Sequence, residues 1–381
     1  MQKNILILVL RRTRLVQLLC LSVFLFACSD ETPDEEASKS GVDILNPDYT
    51  LVDVYYGTDR KINDASKSIK DIYIGDRGQF SYGVCQVSIP KGHKTGELEA
   101  PSLLRFEFSE DPALHVVLLD VQQKDADSYF EELSEVINAS DGKQAFIFIH
   151  GYNVSFEAAA RRTAQMAYDL QFNGAPIFYS WPSAGTLAGY PQDEGNIEWT
   201  VPNLRNFLKD VIEKTQAESI HLVAHSMGNR ALTRVLTEAS EYLNSNQLSV
   251  IKNIILTAPD VDAEIFKRDI VPKINAYNSD ITLYVSSKDK ALEASKKIKG
   301  YNRAGDAEDG IVLIEGVETI DASDVSTGFL AHSYFSEEES VLDDIRQLMT
   351  EGLTARSRSG LEKVVDKSSG MPYWRINIPE K

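Results

Sequence analysis

Apolar positions along this chain fall into two textures. The runs Leu51–Tyr56, Tyr82–Ile89 and His115–Val121 partly alternate apolar with polar residues, which predicts strands with one half-exposed face. They are read as an antiparallel extension of the main sheet. From Ala145 the runs become continuous: Ala145–Ile149, Pro176–Trp181, Ile220–Ala224, Ile254–Ala258, Ile281–Val285 and Ile311–Ile314 suit strands buried on both faces. Between them, apolar residues recur at helical spacing: Phe156 to Leu170, Leu204 to Ile212, and Ala231 to Ala239, with Val341, Leu342, Ile345 and Leu348 marking a late helix. Strands alternating with helices imply βαβ units and a mostly parallel, doubly wound sheet. The link from Ala258 to Ile281 has room for one helix, so no large cap domain is expected. Pro182 to Trp199, rich in Gly, Pro and acids, reads as a long irregular connection able to overhang a site as a partial lid.

Composition is that of an ordinary globular chain, with 43% hydrophobic and 25% charged residues. Charge narrows the choice of partners. The first 27 residues hold Lys3, Arg11, Arg12 and Arg14 and no acid, so the rest carries 35 bases against 57 acids, a balance of −22. Nucleic acid is thereby excluded as a partner, because phosphate binding needs clustered Lys and Arg, and docking on anionic lipid by charge alone is disfavoured. With three cysteines, one inside the leader, no internal disulfide is expected.

The N-terminus reads as an address. A basic segment precedes the apolar run Leu15–Ala27, which is too short to span a membrane and ends Leu25-Phe26-Ala27-Cys28. This resembles a bacterial lipoprotein signal. The resemblance implies a signal peptide over 1–27, cleavage before Cys28 and acylation of Cys28, hence lipid anchoring in the bacterial cell envelope. Residues 28–49 begin acidic, small and poor in apolar side chains, as expected of a flexible tether. One folded domain is assigned to 50–352. The segment 353–381 is read as a tail whose apolar Tyr373–Ile376 packs back on that domain.

The strongest chemical signal is Ile220-His-Leu-Val-Ala-His-Ser-Met-Gly-Asn-Arg. A buried strand runs into Ser226 and a helix starts just after it, the setting of a nucleophile elbow, in which small neighbours let strand and helix approach closely. Gly228 supplies one; Ala224 stands where glycine is usual. His150-Gly151-Tyr152-Asn153 follows the buried strand 145–149, where a turn of this kind contributes one oxyanion-hole N–H, here that of Tyr152, alongside Met227 N–H. His332 is the sole histidine after Ser226 and the candidate base, since a neutral serine hydroxyl needs one. Asp289, after the strand 281–285, is the preferred orienting acid, with Asp260 as alternative. Trp181 and Asn153 are candidate substrate contacts. His221 and His225 are read as structural, and His93 and His115 lack a carboxylate at ligand-like spacing. No metal-binding pattern or phosphate loop is visible, and no cofactor is expected.

Together these residues look like the α/β hydrolases grouped as domain of unknown function 900. The resemblance is carried by Val54-Tyr-Tyr-Gly-Thr-Asp-Arg, Tyr82-Gly-Val-Cys-Gln-Val-Ser-Ile-Pro-Lys-Gly-His, Phe148-Ile-His-Gly-Tyr-Asn, Phe178-Tyr-Ser-Trp-Pro-Ser, His225-Ser-Met-Gly-Asn-Arg and His332-Ser-Tyr-Phe. It implies the α/β-hydrolase fold and an esterase-like serine hydrolase. The expected substrate is a small-molecule or polymer-borne ester. Acyl transfer or amide cleavage on the same residues, and an envelope binding protein with an inert site, are the competing readings.

Overall fold

The computed structural model describes residues 48–325 and 332–377. The leader, Cys28 and nearly all of the tether lie outside them. No described helix is long and apolar enough to cross a membrane.

One 11-stranded sheet organises the fold, in the order β10-β11-β9-β8-β7-β6-β4-β5-β1-β2-β3. The strands are β1 (Tyr49–Ile62), β2 (Tyr73–Pro90), β3 (Val117–Lys124), β4 (Gln144–Ile149), β5 (Ala175–Ser180), β6 (Ser219–His225), β7 (Ile251–Thr257), β8 (Asp280–Val285), β9 (Val317–Asp321), β10 (Leu361–Val365) and β11 (Pro372–Ile376). β1 joins the parallel array against β5, and β2 and β3 continue it antiparallel. At the other edge β11 pairs parallel with β9, and β10 closes antiparallel on β11. This is the α/β-hydrolase architecture, a mostly parallel sheet with antiparallel N-terminal strands and no large cap.

The continuous apolar runs follow from burial on both faces. In β4, Ala145, Ile147 and Ile149 point into one core and Phe146 and Phe148 into the other. The first core takes the buried faces of helices α1 (Ala126–Ala139), α4 (Val201–Lys214) and α5 (Gly228–Thr237); the second takes α2 (Phe156–Asp169) and the helix Glu339–Glu351. Deep burial of these residues is what holds the sheet against its helices, at about 1.5–3 kcal/mol per large side chain.

Two expectations need correction. Ile311–Ile314 is not a strand: β9 begins beyond Gly316, whose φ is +82°. Val312 is buried against the first core and its carbonyl accepts from Thr319 Oγ1 at 2.9 Å, so the run packs on the core without joining the sheet. Pro182 to Trp199 is not irregular either. It contains a short turn, Leu187–Gly189, and helix α3 (Tyr190–Trp199), with a proline in its first turn. α3 buries Asp193 and Asn196 as well as Ile197, so its inward face shows no apolar periodicity. The β7–β8 connection is helical from Ala263 to Tyr277 and carries no cap domain.

Candidate active site

β6 ends at His225 and α5 starts at Gly228, leaving Ser226 on the turn with φ +52°, a conformation costly for a side-chain-bearing residue. The turn is held from several directions. Ser226 N–H donates to Thr257 O at 3.0 Å, and Asn229 Nδ2 reaches the carbonyls of Ala224, Ser226 and Thr257 at 3.1–3.2 Å. A Cβ on Gly228 would lie 2.5 Å from His150 O and 2.6 Å from Ile149 O, and one on Gly151 would lie 2.9 Å from Ser226 Cβ. Bare backbone at both positions lets the ends of β4 and α5 close on the serine.

His332 and Asp289 meet. His332 Nδ1 lies 2.7 Å from Asp289 Oδ2, with the Asp289 side chain fully buried and the imidazole 14% exposed. Asp289 does a second job: its Oδ1 accepts from Ala291 and Leu292 N–H, both at 3.0 Å, capping the helix Lys290–Lys299. Burial alone would depress His332, but the charge and hydrogen bond of Asp289 outweigh it and raise its pKa above the ordinary histidine value. Asp260 is engaged elsewhere. It pairs with Arg230 at 2.6 Å and Arg303 at 3.5 Å, and accepts from Ser295 Oγ at 2.6 Å.

His225 is buried between His332 and Phe335, with ring centroids 4.6 and 4.5 Å away, and its Nε2–H donates to His332 O at 3.0 Å. Burial holds its pKa well below the usual range, so it is a neutral prop for the His332 loop. His221 is likewise buried and lowered to about 4, bonded to Asn253 at 2.7 Å.

Tyr152 and Asn153 lie on the turn after β4; Asn153 has φ +59° and its N–H reaches Asp193 Oδ2 at 3.4 Å. Met227, buried, is the N-cap residue of α5 and can offer only its backbone to the site. Trp181 does not contact the cavity: it is fully buried behind His150, stacked at 5.1 Å, with its indole N–H on His150 O at 2.8 Å. Its place as a wall is taken by Tyr190 of α3, whose ring lies 5.3 Å from Tyr152. Ser226, His332, Tyr152, Asn153 and Asp260 all line one cavity of about 760 Å³. The volume is within the range of small-molecule sites.

His93 and His115, read from sequence as lacking a carboxylate at ligand-like spacing, each meet carboxylates in the fold. His93 bridges Glu99 at 2.8 Å and Asp169 at 2.9 Å, and His115 meets Glu107 at 3.1 Å. Spacing along the chain could not reveal the Asp169 contact, which joins the start of the β2–β3 loop to the end of α2. No group able to hold a metal occurs among the described residues. Sequence reasoning also passed over Arg60, a charge inside β1; a basic residue among buried strand positions was the available signal.

Residues 125–351 match the family described as "Alpha/beta hydrolase of unknown function (DUF900)". No curated protein sequence matches the chain. Among solved structures, an uncharacterized protein from Bacillus cereus aligns at 11% identity and TM-score 0.36, over 56% of this chain and 62% of that one, so the chain spans less than two thirds of its length. A predicted CIB-like hydrolase from Thermoplasma acidophilum aligns at 15% identity and TM-score 0.33, over 55% and 88%. An esterase from Pyrobaculum calidifontis aligns at 12% identity and TM-score 0.30, over 55% and 76%.

Proposed function

The chain belongs to the alpha/beta hydrolase family of unknown function, and we propose that it is a serine hydrolase cleaving carboxylic esters through an acyl-enzyme on Ser226. The observation that carries this reading is the buried His332–Asp289 pair opening on the same cavity as a serine held at positive φ. Asp289 accepts from Nδ1–H, which leaves His332 Nε2 unprotonated and able to take the Ser226 proton. As Oγ bonds to the ester carbonyl carbon, negative charge develops on the carbonyl oxygen, to be met by the N–H groups of Met227 and Tyr152. His332 returns the proton to the departing alkoxide, and a water molecule deprotonated by His332 then releases the acid.

The test is fluorophosphonate labelling with mass spectrometry. Modification confined to Ser226, and abolished by His332→Ala, is expected; a folded protein left unlabelled overturns the reading. The substrate proposed is a small-molecule or polymer-borne ester, since the site lies under no cap. Acylation of Cys28 and tethering to the bacterial envelope are proposed on Leu25-Phe26-Ala27-Cys28 alone. Incorporation of labelled palmitate, lost in Cys28→Ala, tests them.

A further inference from the structure

The turn that would supply Tyr152 N–H rests on a buried cation, Arg60, which is 1% exposed. Among the described residues its guanidinium touches no carboxylate. Nε donates to Ser180 Oγ at 2.8 Å, one terminal nitrogen to Ser183 O at 2.9 Å, and the other to Val154 O at 2.7 Å, with His150 Nε2 at 3.3 Å. Guanidinium nitrogens only donate, so His150 Nε2 must accept, and Ser180 Oγ, 3.2 Å from the same nitrogen, then donates its hydroxyl hydrogen to it as well. The proton of the neutral imidazole then sits on Nδ1, which lies 2.8 Å from Gly151 O. Burial and the neighbouring Arg60 charge both depress His150, to about 3, so the imidazole is neutral at neutral pH.

Gly151 C=O and Tyr152 N–H belong to one planar peptide unit. Fixing the carbonyl oxygen on one side fixes the direction of the N–H on the other. We propose that Arg60 is a positioning residue: by donating to His150 Nε2 and Val154 O it holds His150 as the Nδ1–H tautomer, which orients the Gly151–Tyr152 peptide so that Tyr152 N–H points at the developing oxyanion. The inference rests on the hydrolase reading above and adds a part to it. The charged strand residue thus has a reason to be buried with no carboxylate in contact, the charges of Asp59 and Asp193 acting on it only through space. It satisfies four acceptors around the turn, and a lysine, a single point donor on a flexible stem, cannot do the same.

The experiment uses the full-length chain in detergent, with p-nitrophenyl acetate for kcat and KM and a fluorophosphonate for the rate of Ser226 modification. Arg60→Met and His150→Gln are expected to lower kcat and the modification rate about 10- to 100-fold with KM within about twofold, the scale of a misplaced transition-state donor. Nitrogen-15 chemical shifts of the imidazole provide a readout that needs no turnover: the Nδ1–H form is expected in wild type and a mixed or Nε2–H form in Arg60→Lys. An unlabelled, inactive wild type with the expected tautomer sinks the hydrolase reading and, with it, the catalytic purpose assigned to Arg60. An active wild type whose His150 carries Nε2–H, or an Arg60→Met variant with unchanged kcat, overturns the positioning role alone.

Discussion

Asp289 holds His332 with one carboxylate oxygen at 2.7 Å and caps the following helix with the other at 3.0 Å. The cap locks the carboxylate's rotation, so the oxygen facing the imidazole is aimed by the backbone of the helix it starts. Asparagine caps helices as well as aspartate does. Asp289→Asn should therefore cost less than about 1 kcal/mol of stability while removing the charge facing His332. A loss in kcat of roughly 10³- to 10⁴-fold is expected, the scale of a base left in the wrong tautomer. Urea unfolding and steady-state kinetics on the same sample separate the two effects.

On the proposed serine-hydrolase mechanism, the raised pKa of His332 would set the acid limb of activity. Only the neutral imidazole can accept the serine proton, so activity should fall as pH drops through a midpoint above the ordinary histidine value of about 6.5. Asp289→Asn removes the main charge that raises it, and the midpoint should move to lower pH. The pH dependence of fluorophosphonate labelling checks this without a natural substrate; a midpoint unmoved by the substitution would count against Asp289 as the dominant influence.

Asp260 offers a contrast. Its partners are Arg230 and Arg303. Asp260→Asn should leave kcat within about tenfold of wild type while costing about 3 kcal/mol of stability, because the buried Arg303 loses its counter-ion, whereas Arg230 keeps Glu194 at 3.1 Å. Chemical denaturation and turnover should thus rank Asp260→Asn and Asp289→Asn in opposite orders.

Gly228 is expected to be intolerant. A methyl group there meets two backbone carbonyl oxygens at 2.5 and 2.6 Å, and backbone cannot swing away as a side chain can. Gly228→Ala should destabilise by about 1–3 kcal/mol and slow labelling of Ser226, because α5 must back off from β4. Thermal denaturation and labelling rate check both effects.

His93 predicts a pH-dependent stability remote from Ser226. Burial works against its charged form, but the bonds and charges of Asp169 and Glu99 win and raise its pKa. A group raised in the folded state contributes stability that is complete below its unfolded value, about 6.5, and is lost as pH climbs through the raised value. His93→Gln should therefore cost more stability at pH 6 than at pH 9, as read from urea midpoints at the two pH values.

The sequence by itself determined the features whose physics is local. A buried strand running into His225-Ser226-Met227-Gly228 and then a helix specifies a tight turn, because the period of apolar positions changes from continuous to helical across it. Continuous apolar runs likewise announce a sheet covered on both faces. The tertiary structure alone decided which carboxylate meets His332. Asp260 and Asp289 both follow sheet strands, and only the fold brings Arg230 and Arg303 onto the former and the imidazole onto the latter. It also decided what hydrophobic periodicity is blind to. α3 was illegible because it buries Asp193 and Asn196, and Arg60 passed as a strand charge because its acceptors lie about ninety residues or more away in sequence. Buried polar groups are satisfied by partners chosen in space, and a linear pattern carries no record of them.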